Sequence, residues 1–381
     1  MPDTEPSTSG VPPVDADALN TAAAEALRAR FGPLTLTELT PLAGSTRARV
    51  FRARLVGRAG VPTSVIVKAP VAVAPPRERV ALDVLTRAGV PGVPELLAAA
   101  DVPELLVLAD AGTGSSLADR LIGSDPDAAG RAVLVWAEAM ARFQAATVAL
   151  GPTFTDALAA LTPLGPPPTE LTRELLSSAA AGLVEYLPRL GVIPRPAALD
   201  ALRQLADGLD PDAYTLDPGD ACPDNNVETA EGLVLIDFEF AEYRHAGWQA
   251  AYLRVPWPSC WCSWRLPAAV ADRALDTWRR TLAPALPAIA SDRFDRELEL
   301  IVAGWILLSV SWFLPAALDG DASTTSTGRP RPTRRQLIQH RLGQLARAEE
   351  PGELVALAAE AHAATERAWG RVPLPLAPAW R

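Results

Sequence analysis

The spacing of apolar residues changes period part-way along the chain, and no other feature limits the fold as much. Before about residue 112 the apolar runs are short and rich in β-branched residues, so short strands are read within 34–56, around a turn at Gly44-Ser45-Thr46, and at Val65-Ile66-Val67 and 104–108. Two helical segments are set among them. One covers 18–31 behind Asp17 as a candidate N-cap; the other carries Arg77, Glu78, Leu82 and Leu85 at helical spacing and ends near Gly89. From about Ser115 onward, Ala and Leu recur with a helical period. Pro-rich breaks at 163–168 and 188–196 interrupt it, as does one hairpin, 227–238, turned at Glu231-Gly232. The sequence therefore predicts an α+β, bilobal chain with a tail over 1–16, a small antiparallel β-rich lobe over 17–110 and a large, mainly α-helical lobe over 111–381. The tail mixes Pro, Ser, Thr, Gly and Asp without periodicity and is expected to be disordered. A length of 381 residues suits two lobes.

Composition narrows function by exclusion. Hydrophobic residues at 49% and charged residues at 21% supply a sizeable core and rule out bulk disorder. A net charge of −10 argues against nucleic acid as a partner, because a duplex is met by a basic field. Cys222, Cys260 and Cys262 are too few and too clustered for a disulfide framework, and Cys260-x-Cys262 lacks the second ligand pair of a structural zinc site. No basic segment followed by an apolar run opens the chain, so a reducing cytoplasm is the expected compartment. Residues 300–318 carry no charge and have the length of a membrane span. The stretch also holds Gly304, Ser309, Ser311 and Pro315, and it reads as a buried helix of the large lobe. No membrane and no obligate protein partner are expected.

Among 35 basic residues there is a single lysine, Lys68. A chain this biased towards Arg keeps a Lys where a compact point charge on a flexible stem is needed. Lys68 follows the strand Val65-Ile66-Val67, like the strand lysine that holds the α- and β-phosphates of ATP in protein kinases.

The chemistry concentrates in Leu216-Asp217-Pro218-Gly219-Asp220-Ala221-Cys222-Pro223-Asp224-Asn225-Asn226 and the following Leu233-Val234-Leu235-Ile236-Asp237-Phe238-Glu239. Asp220 and Asn225 stand on a loop of turn-forming residues, and the hairpin returns Asp237 beside them. Two carboxylates and a carboxamide form an all-oxygen set suited to Mg²⁺. Metal ligands, a base and an upstream phosphate-binding Lys are the parts that phosphoryl transfer requires.

This series resembles the H-G-D-x-x-x-x-N and I-D-F-E motifs of the aminoglycoside phosphotransferase family, which includes choline kinase-like and fructosamine kinase-like enzymes on a protein kinase-like fold. The resemblance spans about 34–260 and fades beyond. It implies that Lys68 contacts the nucleotide phosphates and Glu78 pairs with Lys68. Asp220 would be the catalytic base, with Asn225 and Asp237 holding Mg²⁺. The turn Gly44, Ser45 and Thr46 would cover the phosphates, and the connector Leu108, Ala109 and Asp110 would meet the adenine edge. ATP or GTP would be the donor, and the acceptor a small molecule with a hydroxyl, such as an aminoglycoside, amino alcohol or sugar. Three departures stand out. Pro218 replaces the motif His that braces the loop, Gln249 lies where an Asp often anchors it, and Phe143-Gln144 replaces a common Leu-His. The rival reading is a catalytically impaired nucleotide-binding pseudokinase or scaffold.

Clues to the acceptor are thin. Trp248, Trp257, Trp261 and Trp264 read as packing for the helical lobe, although aromatic faces of that kind can also hold a quaternary ammonium or a sugar. His245 reads as a solvated loop residue.

Overall fold

The structure is a computed structural model that describes residues 16–42, 47–71, 76–161, 171–325 and 327–381. Nearly all of the expected tail, together with Gly44, Ser45 and Thr46 and the 163–168 break, lies outside the described residues.

In chain order the smaller lobe comprises α1 (Ala16–Phe31), β1 (Leu34–Pro41), β2 (Ala48–Gly57), β3 (Ser64–Pro70), α2 (Arg77–Ala88), β4 (Leu96–Asp101) and β5 (Glu104–Ala109). The five strands form one antiparallel sheet in the order β1-β2-β3-β5-β4. Helix α1 starts one residue ahead of Asp17, so Asp17 sits in its first turn instead of capping it. Alternation along the strands divides the sheet into two faces. Val65, Val67, Leu105 and Val107 pack with Leu19, Ala23 and Leu27 of α1. Leu106 and Leu108 turn the other way, into a core shared with Val80, Leu82 and Leu85 of α2 and with the larger lobe. Helix α2 ends where Gly89 takes a left-handed conformation, with φ of 64°.

The larger lobe contains α3 (Leu117–Ile122), α4 (Pro126–Thr147), α5 (Gly151–Leu161), α6 (Leu171–Tyr186) and α7 (Pro196–Arg203). Four short strands follow: β6 (Tyr214–Asp217), β7 (Asn226–Thr229), β8 (Gly232–Leu235) and β9 (Glu242–His245), pairing β6 with β9 and β7 with β8. The chain closes with α8 (Gly247–Ala250), α9 (Ala268–Leu282), α10 (Asp292–Asp319), α11 (Arg334–Leu345) and α12 (Gly352–Trp369). The uncharged stretch 300–318 lies in α10, where Ile301, Ile306, Leu307 and Val310 are fully buried against the lobe. Two helical segments, Pro126–Leu161 and Asp292–Asp319, are long and apolar enough to cross a membrane, and the apolar window of the second is 78% buried within the protein.

Three expectations need correction. The tertiary structure brings Cys222 and Cys260, 38 residues apart, to a Cα separation of 5.8 Å and joins them in a disulfide, leaving Cys262 as a buried free thiol. His245 is fully buried, not solvated; its Nε2 lies 3.1 Å from Glu297 and its ring stacks on Phe294. Among the clustered tryptophans, Trp248, Trp257 and Trp264 are core residues as expected, but Trp261 is only partly covered and lies beneath the Arg329 guanidinium.

Candidate active site

The period of β3 puts Ile66 and Lys68 on the face turned to the larger lobe. There the Lys68 ammonium reaches Glu78 at 2.8 Å and Asp237 Oδ1 at 2.6 Å. Burial opposes its charge, but the two carboxylates outweigh burial and hold Lys68 above the ordinary lysine range. Glu78 also accepts the Phe238 N–H at 3.3 Å, so α2 is tied to the segment that carries Asp237. Asp237 follows β8 in a left-handed conformation, φ 69°, an uncommon state for a non-glycine residue.

The loop after β6 carries the other half. Gly219 has φ of 85°, and a Cβ there would collide with the Phe240 carbonyl, so glycine is required. Asn225 donates from Nδ2 to the Asp220 carbonyl at 2.7 Å, so its Oδ1 is the atom it could offer a metal. The Ile236 N–H in turn donates to the Asn225 carbonyl at 3.0 Å, which fixes the spacing between loop and hairpin. The carboxylate of Asp220 accepts the Ser259 hydroxyl at 2.8 Å. Ser259 belongs to a loop held by Arg341, which donates to the Pro258 carbonyl at 3.1 Å and to Ser263 Oγ at 2.6 Å; the Cys222–Cys260 bond joins this loop to the one bearing Asp220. Burial pushes the Asp220 carboxyl above its usual range, and the charges of Asp237 and Asp224 add to it against the Ser259 hydrogen bond.

What braces the loop in place of the motif His is Asp217. Its Oδ1 accepts the Gly219 N–H at 2.6 Å, Gln249 Nε2 at 2.7 Å and Arg244 Nη2 at 2.9 Å. Asp217 and Gln249 are fully or almost fully buried. The carboxylate thus stands on the loop and the amide on the helix, which explains how Gln249 serves in a position where an Asp is common. Gln144 is a second brace: it donates to Thr215 Oγ1 at 3.2 Å and accepts Trp278 Nε1 at 2.7 Å, tying α4 to β6 and α9.

Lys68, Glu78, Asp220, Asn225 and Asp237 are therefore brought into one cleft between the lobes. The connector is arranged less openly. Leu108 is paired within the sheet and the Ala109 N–H is taken by the Glu95 carbonyl at 2.9 Å. Asp110 is locked by Arg52 at 2.7 Å, Ser64 at 2.8 Å and the Gly112 N–H at 2.9 Å. Its side chain is thereby structural, and of this segment only backbone groups remain for a base edge. Sequence reasoning missed Arg47, which crosses from the smaller lobe to pair with Glu239 at 2.5 Å beneath the Phe240 ring, and it missed Ser259. Arginine is too common in this chain for Arg47 to have signalled itself.

The fold of the chain is protein kinase-like. Neither a protein-family model nor a curated protein sequence matches it. Among solved structures it is similar to a candidate aminoglycoside phosphotransferase of Ralstonia eutropha, with a TM-score of 0.52 at 16% identity over 93% of this chain and 97% of that one. It is also similar to an ethanolamine kinase of Plasmodium vivax, with a TM-score of 0.50 at 8% identity over 89% and 85% of the two chains. At these identities the likeness establishes the fold.

Proposed function

We propose that the chain is a small-molecule kinase that transfers the γ-phosphate of ATP or GTP to a hydroxyl. The observation that carries this reading is the meeting of Lys68 and Glu78 of the smaller lobe with Asp237 of the larger, whose neighbour Ile236 is tied to the loop of Asp220 and Asn225. Kinases acting on ethanolamine and, by description, on aminoglycosides share the fold, which favours the same reaction class. In this reading 17–110 binds the nucleotide and 111–381 supplies the catalytic loop and the acceptor site. The long apolar helix α10 serves the lobe's core, which fits an enzyme of the cytoplasm.

Asp220 takes the proton of the acceptor hydroxyl as its oxygen attacks the γ-phosphorus, and the nucleoside diphosphate leaves on the opposite side. Burial and nearby carboxylates favour protonation of Asp220, as a base requires, while Ser259 holds the carboxylate in one orientation. Lys68 is kept charged for the phosphates. The donor set fits Mg²⁺: Asn225 Oδ1 and the Asp237 carboxylate are hard oxygen ligands, and the bound ion would neutralise charge on the phosphates. The Asp217 brace argues against the pseudokinase alternative, because the loop is held despite Pro218.

Asp220→Asn tests the reading. Turnover with Mg-ATP is expected to fall by about 10²–10⁴-fold while calorimetry still detects Mg-ATP binding. Unchanged turnover would require another base; loss of binding as well would make Asp220 structural.

A further inference from the structure

Two cysteines flank the residue read as the proton acceptor, and the proposed reaction uses neither. Cys222 follows Asp220 on the loop after β6, and Cys260 lies on the loop between α8 and α9 that brings Ser259 to Asp220. Cys222 Sγ is 3.2 Å from Asp220 Oδ1, and an oxygen of Asp220 and the two sulfurs all lie within 4.8 Å of one another. The Ser259 hydroxyl belongs to the same group, 2.8 Å from Asp220 Oδ1, 3.7 Å from Cys260 Sγ and 3.9 Å from Cys222 Sγ. Among the described residues, no other three side chains of histidine, cysteine, aspartate or glutamate bring their ligand atoms together in this way.

Joined as a disulfide, the sulfurs hold no metal, because the thiolate is the ligand. Reduction changes that. A dithiol that is itself oxidised to a disulfide supplies two electrons and two protons and leaves two thiols here. Each thiol then loses its proton to water when its sulfur takes a cation. Two zinc–sulfur bonds of about 2.3 Å at a tetrahedral angle set the sulfurs about 3.8 Å apart. Cα atoms 5.8 Å apart allow that spacing by rotation of the side chains.

Donor type then separates two cations. The oxygens of Asn225 and Asp237 suit Mg²⁺, whereas two thiolates and one carboxylate select a softer ion. Three protein ligands leave a fourth position for water or the Ser259 hydroxyl. A cleft of about 20 Å³, room for about one water, borders Asp220 and Ser259, and Leu171, Trp305 and Trp312 form its apolar wall. Charge favours a cation as well. Asp237 and Asp224 both act on Asp220, while Arg244 is already neutralised by Asp217 at 2.9 Å and Arg47 by Glu239 at 2.5 Å.

We propose that, once the Cys222–Cys260 bond is reduced, the two sulfurs and the Asp220 carboxylate form a site for a thiophilic divalent cation such as Zn²⁺, and that its occupancy withdraws Asp220 from the reaction. The site stands independently of the kinase reading; the loss of activity rests on Asp220 as proton acceptor.

To test this, the wild type is reduced with a phosphine, which takes oxygen from water to become its oxide, and is titrated with Co²⁺ under anaerobic conditions. One equivalent is expected to give a thiolate-to-cobalt charge-transfer band in the near ultraviolet, and Zn²⁺ is expected to displace the Co²⁺, following the order of metal affinities. The same protein with its disulfide closed is expected to show no such band. Cys222→Ser and Cys260→Ser should each weaken Zn²⁺ binding by about a hundredfold or more, and Asp220→Asn by about tenfold or more. In a separate assay, one equivalent of Zn²⁺ should abolish phosphate transfer from Mg-ATP by the reduced protein and spare the disulfide form. Metal bound through both sulfurs and Asp220, with transfer absent or unaffected, would uphold the site and count against Asp220 as the base. No charge-transfer band after reduction, an equal band in the disulfide form, or Zn²⁺ affinity unmoved in Cys222→Ser or Asp220→Asn would each overturn the proposal.

Discussion

Two clusters of charge draw members from the segment 217–244, and they behave as opposites. Lys68, Glu78 and Asp237 meet at the lobe boundary, with the Asp237 side chain 24% exposed; in the proposed function it would exchange partners when phosphate arrives. Arg244, Asp217 and Glu242 lie beneath the loop with side chains no more than 5% exposed, ringed by Gln249, Thr172 and the faces of Trp248 and Trp305. The first cluster holds charge ready for a ligand. The second holds the backbone that presents Asp220. Similar residue types thus do binding work where water and ligand can reach them and structural work where neither can.

Breaking the buried cluster should have the largest effect. Arg244→Met leaves Asp217 and Glu242 in the interior without their cation, and is expected to reduce stability by about 3–5 kcal/mol in urea unfolding. A loss below roughly 1 kcal/mol would mean that the cluster is hydrated and the contrast is false.

The cleft cluster should answer differently. Lys68→Arg preserves charge and should leave the urea midpoint nearly unchanged, while the apparent KM for ATP rises or turnover falls by about tenfold or more, because a planar fork cannot replace a compact ammonium. Wild-type kinetics in this variant would remove Lys68 from the nucleotide site.

His340 supplies the smallest and sharpest check, as a half-buried titratable group flanked by cations. Burial and the charges of Arg341, Arg265 and Arg347 lower its pKa from 6.5 to about 4. The unfolded chain therefore binds the proton first, so this contribution to stability is complete above pH 6.5 and is lost as pH falls towards 4. Between pH 7 and pH 5 the wild type should lose roughly 1–2 kcal/mol more than His340→Gln. Parallel losses in the two proteins would show that His340 protonates without unfolding the chain.

The residues of the proposed nucleotide half were legible because they lie in local pattern. Lys68 belongs to a β-branched strand whose alternation decides the face it presents, and Asp220, Asn225 and Asp237 sit on a turn and hairpin written within a few residues of one another. Glu78 could be placed on the right helix for the same reason. The cysteines and His245 were misread because their environment is made by partners remote in sequence. Cys260 is 38 residues from Cys222, and Glu297 is 52 from His245.

Sequence alone determined the two-lobed α+β character and the oxygen-rich set that suits a metal nucleotide, since strand period, turn chemistry and a lone lysine are properties of short segments. Tertiary structure decided what steadies that set and what faces it. Ser259 reaches Asp220 across 39 residues and Gln249 reaches Asp217 across 32, and the apolar wall joins Leu171 to Trp305 and Trp312. Apolar periodicity tells a helix which face to bury, but only the packing of whole helices tells it which distant residue that face will meet.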